Sequence, residues 1–116
     1  MQNKHSNNYL PHEKLRVWSE VIELVKLVGR QRIRDAELRD QATRAVKSLA
    51  LNVAEGANRA RSGATNHFRI ARGSAGEVAA AYQLAVILGE SVDAASVKVL
   101  AGRVIAMLGG LTGRGG

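Results

Sequence analysis

Residues 64–88 read as one helix with no side given over to water. After Arg72 the only clearly polar side chains before Gly89 are Ser74, Glu77 and Gln83. Spaced at about 100° per residue, Ile70, Ala71, Ser74, Glu77, Val78, Ala81, Leu84, Ala85 and Leu88 make one apolar face. Phe68, Ala75, Ala79, Tyr82 and Val86 form a second stripe. A helix apolar nearly all round must be covered on both sides. Its partners in a small bundle cover one side, so the second stripe predicts a subunit contact and an oligomer. Ser74 and Glu77 fall inside the first face, where a carboxylate is costly unless it is paired.

The preceding helix offers the partner. Leu38, Ala42, Ala45, Val46, Leu49 and Val53 make its core face, and Gln41, Arg44, Ser48, Asn52 and Glu55 line up beside that face within about a quarter-turn. An ordinary solvated flank accounts for such a row. The alternative is a polar seam, hydrogen-bonded inside the bundle or across a subunit contact. The seam would join Gln41, Arg44, Ser48, Asn52, Glu55, Ser74 and Glu77, with Arg44 pairing Glu77 unless that carboxylate snorkels to a bundle end.

Punctuation along the chain supplies the rest. Residues 1–11 read as a disordered tail, 12–112 as the folded unit, and 113–116 as a frayed glycine-rich end. Leu15, Trp18, Val21, Ile22, Val25 and Val28 face the core from helix one, with Trp18 as an anchor, and Gly29 ends it. Asp35 caps helix two, Glu37 sits in its first turn, and Gly56 is read as its left-handed stop. Ser62 or Thr65 caps helix three. Ser91 or Asp93 caps helix four, whose buried face is Val97, Leu100, Ala101, Val104, Met107, Leu108 and Leu111. Eighteen alanines and a single proline suit helices packed closely through small side chains. The predicted fold is all-α, an antiparallel up-down-up-down four-helix bundle.

The formal charge is +7, and residues 30–72 hold ten Arg or Lys against four Asp or Glu. The candidate nucleic-acid contacts are therefore Arg30, Arg32, Arg34, Arg39, Lys47, Arg59, Arg61, Arg69 and Arg72. Aromatic residues are scarce, which argues against recognition by base stacking and leaves backbone-dominated binding of structured RNA or DNA. No cysteine is present, and His5, His12 and His67 make no metal-ligand spacing. Ser74 has no histidine base in reach, and Gly73-Ser74-Ala75-Gly76 lies inside a helix, where it is no phosphate loop. No catalytic residue, metal or cofactor is predicted. The first nine residues lack a signal-peptide core, and no apolar run is expected to approach the roughly 18 residues of a membrane span; Val78–Leu88 comes nearest, interrupted by Gln83. A cytoplasmic protein without a membrane partner is expected.

Several short patterns carry a resemblance. Leu15-x-Val17-Trp18, Gln41-x-x-Arg44-Ala45, Ser48-Leu49-x-x-Asn52-Val53-Ala54-Glu55-Gly56, and Phe68-x-x-Ala71-x-Gly73-Ser74-x-x-Glu77 resemble the four-helix-bundle proteins encoded in intervening sequences of bacterial large-subunit ribosomal RNA genes. The similarity spans about residues 13–112. The resemblance implies an antiparallel bundle that assembles as a homopentameric ring. A related bundle is the accessory subunit of the reverse transcriptase of diversity-generating retroelements, where a basic pentamer engages transcriptase and RNA. The implied partners are thus further copies of the chain, RNA and a reverse transcriptase. This chain departs from the pattern in its arginine-rich first connector, its short Gly89–Val99 segment and its glycine-rich end.

Overall fold

A computed structural model describes residues 8–59 and 61–112, leaving aside the side chains of Arg61 and Ser62. A 3₁₀ turn at Pro11–Lys14 leads into four helices: α1 at Arg16–Gly29, α2 at Ala36–Ala57, α3 at Arg61–Ile87 and α4 at Ala94–Thr112. Most of the predicted tail (residues 1–7) and the predicted frayed end (residues 113–116) lie outside the described residues. Pro11 opens the 3₁₀ turn, where a missing N–H costs nothing, and the Glu13 carboxylate accepts the Leu10 N–H at 2.7 Å.

The helices pack in ring order, α1 on α2 and α4, and α3 on α2 and α4, without close backbone approach across the diagonals among the described residues. The α1–α2 and α3–α4 connectors meet at one end, and the tight α2–α3 turn lies at the other, so successive helices reverse direction. The short dimension of 20 Å is two helix diameters. Val17, Val21, Leu24 and Val28 of α1 fill the core, with Leu24 fully buried. Trp18, the expected anchor, is instead half-buried and meets the His12 ring edge-on, with centroids 4.5 Å apart.

The buried face of α2 is the one expected from periodicity, with Leu38 at its margin. That of α3 is rotated by roughly 60° from the expected one. Phe68, Ala75 and Tyr82, expected at a subunit contact, lie in the protomer core, and Ala79 is half-buried; only Val86 of that stripe is exposed. Ile70, Glu77, Leu84 and Leu88, expected inside, face outward. Apolar residues point in nearly every direction around α3, so periodicity does not fix its centre. The two largest side chains, Phe68 and Tyr82, take the interior because they remove the most apolar surface from water. Burial in turn pushes the Tyr82 phenol above its ordinary pKa.

Gly56 does not stop α2. It is buried and helical, and the helix runs on to Ala57 with Asn58 as its cap. A Cβ at Gly56 would stand 2.8 Å from Cε1 of Phe68 and 3.2 Å from Cβ of His67. The glycine is there for close helix approach. Only Gly89, at φ 92°, takes the left-handed conformation among the described residues. Because α3 begins at Arg61, Ser62 and Thr65 lie within it and are not caps.

Asp93, one of two expected caps, starts α4 by accepting the Ser96 N–H at 2.9 Å. The Ser96 backbone N–H, and secondarily its hydroxyl, hold the Asp93 carboxyl below its ordinary pKa. A lowered folded-state pKa favours the native helix end above the ordinary aspartate range, and that contribution fades as pH falls through the lowered value. Amide exchange at Ser96, corrected for its intrinsic pH dependence, should therefore lose protection in acid, and Asp93→Asn should flatten that response.

Contrary to the expectation that no stretch approaches a membrane span, α4 is long and apolar enough to cross one, at mean hydropathy 1.5. It buries Val97, Ala101, Val104, Leu108 and Thr112 in the bundle, while Lys98 and Arg103 stand on its exposed side. Leu111, expected in that face, is 43% exposed.

Candidate nucleic-acid interface

The α1–α2 connector alternates in and out like a strand. Ile33 is buried and Gln31 partly so, while Arg30, Arg32 and Arg34 are exposed. Two side chains tie this segment to the other connector. The Glu90 carboxylate accepts the Arg34 N–H and, at 2.9 Å, the Asp35 N–H. In return Gln31 Oε1 accepts the Asp93 N–H at 2.8 Å. The Glu90 charge thus sits at the positive end of the α2 dipole, and Asp35 caps the same end by accepting the Leu38 N–H at 3.0 Å. Arg39 closes the connector from inside, its Nη1 donating to the Ile33 and Arg34 carbonyls at 3.0 and 3.1 Å. The arginines are therefore displayed from a fixed backbone.

Ion pairs among the described residues are Glu23–Lys26, Glu55–Arg59 and Glu20–Arg103, and none involves a connector arginine or Lys47. Arg32, Arg39 and Lys47 line one groove of about 400 Å³ between the end of α1 and α2, floored by Val28 and Val46. The remaining expected cations lie elsewhere. Arg59 is at the far end of α2, whose 22 residues span about 33 Å, and is paired to Glu55 at 2.8 Å. Arg69 is exposed on α3, and the Arg72 guanidinium lies over Gly109 of α4. The Arg61 side chain is outside the described residues. The nine candidates are thus divided between the two ends and the faces of the protomer, with the densest group at the connector.

At the α2–α3 contact, Asn52 Nδ2 donates to the Ser48 carbonyl at 2.9 Å and to Ser48 Oγ at 3.2 Å. Its Oδ1 then lies 2.8 Å from His67 Nδ1 and accepts the hydrogen bond when that nitrogen carries the proton. Ser74 Oγ donates to Ser48 Oγ at 3.0 Å. Gln41, Arg44 and Glu77 stand outside this group on the exposed flank, and Glu55 joins Arg59. The expected Arg44–Glu77 ion pair does not form, because the rotation of α3 carries Glu77 out of the core. The Ser48 hydroxyl takes hydrogen bonds from two side chains, so Ser48→Ala is expected to cost about 1–2 kcal/mol in a denaturant melt.

A sequence model of the 23S rRNA-intervening sequence protein family matches residues 13–110. The chain belongs to this family. The match takes in all of α1, α2 and α3 and most of α4. No curated protein is similar enough to count as a relative. On α2, Ser48, Asn52 and Gly56 recur every fourth residue and meet Ser74, His67 and Phe68 of α3. Those motif residues therefore hold the helix pair together. Sequence reasoning missed Gln31, His67 and Glu90. All three bond to residues distant in the chain and leave no local trace.

Proposed function

We infer that this member of the family is a non-enzymatic, self-associating four-helix bundle that binds structured RNA through the connector end of α1 and α2. The observation that carries this reading is the set of cations Arg30, Arg32, Arg34 and Lys47, exposed without carboxylate partners among the described residues on a backbone fixed by Glu90 and Gln31. A connector whose backbone is already fixed has no main chain left to order on meeting phosphate; only the side chains give up freedom. Self-association is supported by the large apolar side chains that the bundle leaves in water on α2 and at the end of α3: Leu51 is 70% exposed, Ile87 76% and Leu88 65%. A ring of five, as the resemblance implies, repeats the basic end around one assembly and raises its avidity for a polyanion. A chain without cysteine suits the reducing cytoplasm in which such an RNA would be met.

Two measurements on the purified protein test the reading. Light scattering should give a mass several times that of the chain. Affinity for an RNA hairpin should fall by about 100-fold between roughly 50 and 200 mM salt, as neutralising a few phosphates requires. A monomeric mass removes the ring. Salt-independent binding, or none, removes the RNA interface.

A further inference from the structure

We propose that the groove between α1 and α2 is a seat for a single phosphate group, held by Arg32, Arg39 and Lys47 together with the side-chain amide of Gln31. The proposal rests on the RNA-binding reading and names the point on the surface where backbone phosphate is gripped. Three features of the groove carry it. The first is convergence: Arg32, Arg39 and Lys47 line it from the connector and α2, with no ion-paired carboxylate among the described residues. The second is an unmet donor. Gln31 also lines the groove, its Oε1 is committed to the Asp93 N–H, and its buried Nε2 has no hydrogen-bond partner. Since a backbone N–H must meet the amide oxygen, the orientation of this amide is settled, and the nitrogen is the group left wanting an acceptor. The third is rigidity. Arg39 spends only Nη1 on the Ile33 and Arg34 carbonyls, leaving Nε and Nη2 without a protein acceptor among the described residues.

A phosphate group suits the three cations directly, and it satisfies the Gln31 nitrogen, which is shielded from solvent, once that side chain turns toward the groove. It is anionic, it accepts several hydrogen bonds, and it matches the planar fork of a guanidinium. Thr43 on the groove wall adds a hydroxyl that can donate to the same group. The apolar floor of Val28 and Val46 lowers the local dielectric and strengthens each contact. Both an RNA phosphodiester and a free inorganic phosphate carry this chemistry.

The test uses the full chain, an RNA hairpin and sodium phosphate. Thr43→Glu places a carboxylate in the groove without removing a cation, and Lys47→Gln removes one cation from an exposed position. Each should weaken hairpin binding about tenfold, and Lys47→Gln should also reduce the slope of log affinity against log salt by about one. Arg69→Gln on α3 should stay within about twofold of the unsubstituted protein. Thermal melts confirm that the three variants remain folded. In parallel, the Gln31 side-chain NH₂ resonances are followed by NMR. A shift with hairpin alone supports a phosphodiester seat, and a shift with both ligands supports a seat for phosphate in either form. If the unsubstituted protein binds the hairpin with the expected salt dependence but neither groove variant differs from it and the Gln31 amide stays still, the seat is overturned and the RNA-binding reading stands. Failure of the unsubstituted protein to bind overturns both.

Discussion

Gly56→Leu is expected to lower the stability of the bundle by about 3 kcal/mol, with Gly56→Ala costing about 1–2 kcal/mol. Any side chain here starts 2.8 Å from the Phe68 ring, well inside van der Waals contact, and 3.2 Å from Cβ of His67. Phe68 is itself buried against the core, so it has little room to retreat. The adjoining seam suffers as well, because pushing α3 away from α2 stretches the His67–Asn52 and Ser74–Ser48 hydrogen bonds. Denaturant midpoints at one fixed protein concentration measure the effect and avoid confusing it with mass action on an assembly. Combining Gly56→Ala with Phe68→Leu should recover part of the loss. Equal midpoints for Gly56→Leu and the unsubstituted protein would mean that α2 and α3 are farther apart than described.

Glu90→Ala is expected to cost about 2 kcal/mol. The substitution leaves the N–H groups of Arg34 and Asp35 without their carboxylate and takes a negative charge from the start of α2. Both bonds lie near solvent, so water replaces part of what is lost, which keeps the figure well below the sum of two buried charged bonds. Glu90→Gln, with a single acceptor oxygen, should fall between. Hydrogen exchange should show the change at the Arg34 and Asp35 amides first. RNA affinity should drop together with that protection, although Glu90 is an acid whose loss makes the protein more basic. Stronger RNA binding by Glu90→Ala would show that net charge, and not a fixed connector, governs the interaction.

Different parts of the fold were legible to different degrees, for physical reasons. α2 alternates core and polar positions sharply, so its buried face and its Asp35 cap followed from the order of residues. The choice of Asp93 over Ser91 as the cap of α4 needed the structure. α3 has apolar residues on nearly every side, and there the periodicity misplaced Phe68, Ala75, Tyr82 and Glu77. Gly56 was misread because a glycine near a helix end looks the same whether it turns the chain or admits a neighbouring ring. The candidate interface was legible as charge but not as geometry. Ten cations in residues 30–72 are plain from composition, yet their division between two ends of the bundle depends on the length of α2. The contacts that fix the connector, Glu90 to Arg34 and Asp35 and Gln31 to Asp93, join residues more than fifty positions apart, beyond the reach of any local pattern.

Backbone amide shifts of the labelled protein on adding a structured RNA hairpin test the central claim most directly. The account predicts that the largest changes fall on residues 30–35 and on Thr43 and Lys47, and fade as salt is raised. Changes confined to the α2–α3 turn and to Arg69 and Arg72, or no change anywhere at low salt, would contradict it.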